Sequence, residues 1–354
     1  MTLRRRLTRS PALRRGVRGA IDRLPVGRGT ALRFARGVAT AGSPSAAAAR
    51  GVVIGGAPAT FVVSPRPTPI GDDWPETPLV DDGAKTRRYR HPNGPPDGPF
   101  DIDLFEALNA EYRDRPVVPA PRGNDAASAA ARARQRLRQV HDSIDLRGGR
   151  VLEFGCGAGY EVWTLSHHFG CEATGVDVVE RRAWDTLADE RTRYVLADVA
   201  LDRPFAADAF DRIVSFSVFE HVVHPRATLT ELHRILRPGG LMWLSANLHR
   251  GPMASHKYRE VFFPWPHLLF GDDVFREFYR RNDLPPQGAA WVNRLSWTEY
   301  AAMFATIGFR LRSARFSEAT FDEPFYRRFE GVLGRYPRLD LGLDFFHVVL
   351  EKVS

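Results

Sequence analysis

The sequence predicts a doubly wound α/β domain with a mostly parallel seven-stranded sheet, behind a basic and proline-rich N-terminal extension. Three observations carry this. Five short apolar runs, VLEF, ATGVDV, YVLA, RIVSF and LMWLSA, start near Val151, Ala173, Tyr194, Arg212 and Leu241. They follow one another at intervals of 22, 21, 18 and 29 residues, each about the length of one strand plus a crossover helix. The runs are continuously apolar rather than alternating, as strands covered on both faces by helices require. A glycine-rich turn follows the first run, where such folds open a ligand crevice.

The elements follow in order. Residues 1–50 hold twelve arginines, no lysine and the single acid Asp22, a net charge of +11. The whole chain carries +8, so the body is close to neutral at −3. Leu13, Val17, Ile21 and Leu24 share one helical face flanked by arginines, which suits a solvated tail, an organelle transit segment or a helix lying on an anionic membrane surface. A nucleic-acid arm would need aromatic or fold-level support, and only Phe34 is present, so no specific nucleic-acid partner is expected. Only three of the 50 basic residues are lysines, in a chain rich in alanine, glycine and proline, so arginine abundance alone argues for nothing. Residues 51–100 contain ten prolines and read as a linker, with Val52–Ile54 and Phe61–Val63 as a possible hairpin.

Leading helices occupy 101–145. Asp101 or Asp103 caps a short helix through Leu108 and Tyr112. A second helix runs from about Asp125 to Ser143, with Ala129, Ala133, Leu137 and Val140 on one face. Val162, Leu165 and Phe169 mark the first crossover helix, closed by Gly170. Leu229, Leu232 and Leu236 mark another, stopped by Arg237-Pro238-Gly239-Gly240. Ser296-Trp297-Thr298-Glu299 is a capping box ahead of an apolar-faced helix through Phe304. Phe309 to Phe316 and Phe345 to Leu350 complete the sheet as a terminal strand pair. Residues 248–295 form a long insertion rich in large side chains: Tyr258, Phe262, Phe263, Trp265, His267, Phe270, Phe275 and Phe278. It is expected either to cover a substrate pocket or to pack as a small subdomain of its own.

Several classes are excluded. No stretch approaches the 18 or so apolar residues of a membrane-spanning helix. Cys156 and Cys171 can neither form a disulfide framework nor fill a four-ligand zinc site, and no metal centre is assigned. No apolar segment of a secretory signal follows the first arginines, so a reduced, cytoplasmic setting is expected.

The chemistry concentrates in Val151 to Tyr160, reading VLEFGCGAGY. Glycines let the backbone approach a ligand with no Cβ in the way. A dinucleotide site of the G-x-G-x-x-G type needs glycine at 160, where a tyrosine stands. Glycines fall instead at 155, 157 and 159, and this E-x-G-x-G-x-G resembles motif I of class I S-adenosylmethionine-dependent methyltransferases. The resemblance continues in order. Gly175-Val176-Asp177 is similar to the end of the family's second strand, Ala197-Asp198-Val199 to the end of its third, Phe210 to Val222 to its fourth strand and trailing loop, and LHRILRPGG to the helix and turn before its fifth. It covers about residues 125–354.

The resemblance implies a Rossmann-like fold that binds S-adenosylmethionine. The site it implies comprises Glu153, Gly155, Cys156, Gly157 and Gly159 of the loop, Asp177 on the ribose hydroxyls with Val178 beside it, Asp198 on the adenine amino group, Val199 flanking the ring, and Ser215. A carboxylate suits a vicinal diol because it accepts two hydrogen bonds. Cys156 is read as a small loop residue whose backbone faces the ligand. His167 and His168 are read as structural or exposed, and Phe216, Val218 and Phe219 as core and pocket wall.

A sulfonium methyl is already activated, so the protein need only align the nucleophile and exclude water. A hydroxyl acceptor also calls for a base. His221 is the first candidate, Glu220 the second, and His256 with Tyr258 the third. The D/N-P-P-Y/F motif of nitrogen methylation is absent, and Ser215-Phe216-Ser217-Val218 stands in its place. Neither cysteine follows a proline, which excludes the Pro-Cys nucleophile of cytosine-C5 methylation. A small-molecule, lipid or saccharide acceptor remains, with oxygen the first choice of methylated atom and carbon or nitrogen still open. The alternatives are a non-catalytic binding protein of the same fold and a nicotinamide-dependent oxidoreductase.

Overall fold

The computed structural model describes residues 74–80, 82–87, 97–121, 123, 125–290 and 292–353. The amphipathic segment within 1–50 and the hairpin expected at 52–63 lie outside them. Strands β2 (Arg150–Phe154), β3 (Glu172–Asp177), β5 (Thr192–Leu196), β6 (Phe210–Phe216), β7 (Leu236–Asn247), β8 (Phe309–Glu318) and β9 (Leu343–Lys352) form one sheet. Its order is β5-β3-β2-β6-β7-β9-β8. The β5–β3, β3–β2, β2–β6 and β6–β7 pairs are parallel; β9 runs against both its neighbours. Chain order reverses between β2 and β6, so a crevice opens beyond the carboxyl ends of these two strands. All seven expected strands are present. β7 begins at Leu236, ahead of the expected start at Leu241, because the Pro-Gly-Gly turn is taken up as a bulge: Phe210 pairs with Leu236 and Arg212 with Leu241.

Six longer helices accompany the sheet: α1 (Ile102–Glu111), α2 (Ala126–His141), α3 (Tyr160–Phe169), α4 (Pro225–Ile235), α5 (Asp272–Arg281) and α6 (Trp297–Ile307). Their ends follow the sequence signals. Asp101 Oδ1 accepts from Leu104 N, Asp125 Oδ1 from Ser128 N, and Ser296 with Glu299 forms the reciprocal capping box. Gly170 closes α3 at φ 69°. On α2 the buried face is Ala130, Ala133, Leu137 and Val140; Ala129 is only half-buried and turns toward the crevice.

Three packed layers result. One sheet face buries Leu152, Ile213, Met242 and Leu350 against α4 and α6 through Leu229, Leu232, Tyr300 and Phe304. The other buries Val151, Val214 and Trp243 against α2 and α3 through Leu137, Val140, Val162 and Leu165. The third is a separate aromatic core. Phe105 of α1 sits within about 5 Å of Phe263, Phe270, Phe275 and Phe278, and Phe325 and Phe329 close over it. The insertion at 248–295 is therefore mostly a packed subdomain: Phe263, Trp265, Phe270, Phe275 and Phe278 face one another and not a ligand. Mutual burial of rings this large is the favoured outcome, since each removes well over 100 Å² of apolar surface from water.

Part of the expected linker is structured. Residues Ala84–Arg87 form β1, which pairs antiparallel with β4 (Val179–Arg181) just after Asp177. Lys85 bridges Asp185 at 2.6 Å, Val80 N donates to the Tyr160 hydroxyl, and Trp74 stacks on His168 at 3.7 Å. His168 is thus structural. So is His167, which bonds to Trp163 O and Asp189.

Candidate active site

The loop between β2 and α3 shapes the crevice floor. Gly155, Gly157 and Gly159 have φ of 78°, 50° and 92°, a region that costs any L side chain. A Cβ at Gly155 would stand 2.3 Å from Val218 Cγ2, and one at Gly159 would stand 2.4 Å from Tyr194 Cε1. A Cβ at Gly157 would meet no protein atom within 4 Å, because that residue faces open space. The crevice measures about 720 Å³. Its walls include the glycine loop, Glu153, Phe216 to Val218, and Ala129, Arg132 and Arg136 of α2.

Asp177 ends β3 beside this loop. Its Oδ2 accepts from Gly157 N and its Oδ1 from Val179 N, each at 2.9 Å. A carboxylate offers about four lone-pair sites, so two remain for a diol. Asp198 caps the turn Val199–Asp202, its Oδ1 accepting from Ala200 N and Leu201 N. Val178, next to Asp177, is half-buried. Two of the expected side chains are buried in the protein. Val199 is 1% exposed and packs in the core under the sheet. Ser215 is fully buried and its hydroxyl donates to Phe154 O at 2.9 Å, tying β6 to β2.

Glu153 is buried with Oε2 unpartnered at the crevice wall. Burial, and then the Glu161 charge, hold its carboxyl well above the usual range; Arg136, 2.6 Å from Glu161, opposes this. An orphaned buried acceptor and a glycine cradle facing empty space fit a ligand carrying hydrogen-bond donors, as the amino and ribose groups of S-adenosylmethionine do. Burial pushes the Cys156 thiol up, which agrees with a loop residue and disfavours a thiolate. Arg132 and Arg136 escaped the sequence reading: on α2 they look like two more arginines among many, and only the packing of α2 over the crevice singles them out.

Beyond Val218 the chain makes a single 3₁₀ turn, Phe219–His221. Asn293 holds it, donating from Nδ2 to Phe219 O at 2.7 Å and from its backbone to Glu220 O at 2.8 Å. The fold brings the three candidate bases together. One ligand-type atom from each of Glu220, His221 and His256 lies within 4.8 Å of the other two, and the imidazoles of His221 and His256 meet edge to face at 4.9 Å. Glu220 is fully buried; burial pushes its pKa up to about 8, opposed by the backbone N–H groups of Glu220 and Asn247 beside its carboxylate. Burial, then His221 and His267, push His256 down to about 3. Nearby, His249, His267, Arg294, Arg335 and Tyr336 line a smaller cavity of about 120 Å³.

Comparison with known proteins agrees with this geometry. A family model described as a methyltransferase domain matches residues 124–314, more than half of the chain. The ubiquinone biosynthesis O-methyltransferase of Pseudomonas aeruginosa is 30% identical over 162 residues, 42% of this chain and 66% of that protein. The methyltransferase GfsG of Streptomyces halstedii is 30% identical over 132 residues, 35% of this chain and 47% of the relative. The chloroplastic tocopherol O-methyltransferase of Arabidopsis thaliana is 28% identical over 161 residues, covering 41% and 45%. The chain thus spans between about half and two-thirds of these relatives' length. A methyltransferase structure from Archaeoglobus fulgidus aligns with a TM-score of 0.39 at 15% identity, over 63% of this chain and 93% of that one. With the strand order, the glycine loop and the matched domain in agreement, the chain belongs to the class I S-adenosylmethionine-dependent methyltransferases.

Proposed function

We propose that the chain transfers a methyl group from S-adenosylmethionine to a hydroxyl oxygen of a small-molecule acceptor. The observation that carries this reading is the Glu220–His221–His256 cluster, which begins two residues past the Val218 wall of the crevice. Two relatives named as O-methyltransferases, at 30% and 28% identity, support oxygen as the target. The donor supplies an activated methyl: the oxygen lone pair displaces it in line, the C–S bond breaks and sulfur keeps the electron pair. The chain's residues do the rest. The glycine loop and Asp177 hold the donor, Asp198 reads the adenine edge, and Arg136 with the buried Glu153 sets the charge around the donor's amino-acid end. Of the three clustered groups His221 is the one to take the acceptor's proton. A carboxyl with a pKa near 8 is already protonated at neutral pH, and an imidazole near 3 cannot hold a proton there.

The test is calorimetry with S-adenosylmethionine, its demethylated product and NAD, followed by labelled methyl transfer to a panel of phenols, alcohols and amines. Binding of both S-adenosyl compounds and labelling of hydroxylated acceptors is expected. Asp177→Ala should weaken donor binding by roughly 1.5–3 kcal/mol, the scale of hydrogen bonds to a charged group. Binding of NAD alone, or labelling confined to amines, would overturn the reading.

A further inference from the structure

We infer that the cavity between His249, His267, Arg294, Arg335 and Tyr336 binds an anionic group, a carboxylate or phosphate, carried by the methyl acceptor. At about 120 Å³ it is smaller than the roughly 300–1,000 Å³ of a site for a whole small molecule, so it suits one end group. Its cations are not neutralised from within the protein. Arg294 and Arg335 reach it from two separate segments, and among the described residues neither is ion-paired with a carboxylate. Arg250 beside them is, to Asp340. The acid on the cavity wall, Asp272, is engaged elsewhere: its Oδ1 accepts from Ala289 N at 3.0 Å and its Oδ2 stands 3.8 Å from Arg276. Arg335 lies against the Tyr336 ring, 4.9 Å from its centroid, a contact that orders a guanidinium and leaves its N–H fork free.

The electrostatics of the cavity agree. Burial, then His267, Arg294 and Arg250, push His249 down to about 2. Burial and Arg294 push His267 down to about 4, against the bond its Nε2 donates to His249 O at 2.6 Å. No carboxylate among the described residues offsets either shift, so the cavity carries positive charge with no counter-charge of its own. An oxyanion supplies that charge, and guanidinium forks match its paired oxygens. Arg294 also holds φ 60°, a backbone cost that is kept where a side chain's position matters.

One segment joins this cavity to the cluster of Glu220, His221 and His256. Ala290 and Val292 line the cavity, Ala290 N bonds Ser255 O next to His256, and Asn293 clamps the 219–221 turn. The inference rests on the methyl-transfer reading for its purpose. An acceptor anchored here by its acid is held with its hydroxyl toward His221, and the arginines select molecules that carry both groups.

The experiment compares the full chain with Arg294→Gln and Arg335→Gln, whose side chains are exposed, so folding is not at stake. Labelled methyl transfer is measured on para-hydroxybenzoate and para-hydroxyphenylpropionate and on their neutral amides. Binding of inorganic phosphate and of the donor is measured by calorimetry on the same samples. The arginines of residues 1–50 attract phosphate too, so the difference between the proteins is what is read. The full chain should prefer an acid over its amide by about 10-fold or more in kcat/KM. Each variant should raise KM for that acid roughly 10–100-fold with kcat nearly unchanged, the scale of a hydrogen bond to a charged group, and weaken phosphate binding. A preference for acids that survives in both variants, or phosphate binding equal in all three proteins, would overturn the anion site. Phosphate binding weakened by the variants, with acids and amides labelled equally, would mark a site for a free anion and overturn its assignment to the acceptor. Phosphate binding weakened by the variants, in protein that labels no acceptor, would support the anion site and overturn the methyl-transfer reading.

Discussion

Replacing Gly157 by alanine separates what the glycine loop does for the fold from what it does for the donor. The residue sits at φ 50°, its N–H donates to Asp177 Oδ2 and its carbonyl accepts from Trp184 Nε1 at 2.8 Å. An alanine keeps both bonds. Its Cβ meets no protein atom within 4 Å, so no clash arises. The cost to the fold is the left-handed backbone, about 1–2 kcal/mol, offset by about 0.4–1 kcal/mol from a stiffer unfolded chain. For a domain this size the melting temperature should fall by only about 2–4 °C. The added methyl instead occupies the crevice. Overpacking there should cost about 1–3 kcal/mol of donor affinity, roughly 5–150-fold in Kd. Gly159→Ala is the contrast. Its Cβ would lie 2.4 Å from the Tyr194 ring, which is stacked on Trp184 and hydrogen-bonded to Gly159 O. That variant should lose stability outright, by roughly 1–3 kcal/mol from the clash in addition to the backbone cost. Thermal melts and donor calorimetry on both proteins decide the matter. An unchanged Kd in Gly157→Ala would refute the claim that the donor runs over this loop, and equal melting losses in the two variants would refute the spatial argument.

Three further outcomes are expected. Asn293→Ala removes the clamp on the 219–221 turn, so turnover should drop while donor affinity holds, with about 1–2 kcal/mol lost in urea melts; unchanged turnover would mean the turn is held by other contacts. Asp344 lies buried between the ends of β7 and β9, where it bonds Met253 N and the Asn247 side chain, and burial raises its pKa to about 6. The folded chain then binds this proton more tightly than the unfolded one. That stabilising contribution is full below about pH 4 and is lost as pH rises through 6, so Asp344→Asn should gain roughly 2–3 kcal/mol at pH 7.5 and nothing near pH 4. A gain independent of pH would show that charge is not its source. Deleting residues 1–50 should leave donor affinity unchanged and abolish low-salt binding to anionic vesicles, at about 1 kcal/mol per basic residue near the surface; equal vesicle binding by both forms would remove the membrane role.

Much of this protein was legible in one dimension because the deciding interactions are local. Strand spacing, the Asp101, Asp125 and Ser296 caps, the Gly170 stop and the three loop glycines each depend on residues within a turn or two of one another. What stayed hidden depended on pairs far apart in the chain. The strand at 84–87 was masked by surrounding prolines, and its partner lies almost a hundred residues away. The aromatic run in the insertion suited a pocket cover and a packed subdomain alike; only tertiary packing against Phe105 and Phe325 made it a core. Val199, on the turn after Asp198, packs in the core, and Ser215 is turned onto Phe154 O by the register of its strand against the neighbouring one. Above all, Glu220, His221 and His256 stood as three rival bases in the sequence. Bringing His256 across 35 residues to the other two was decided by the tertiary fold alone, since no local rule fixes how an insertion returns to the sheet it leaves.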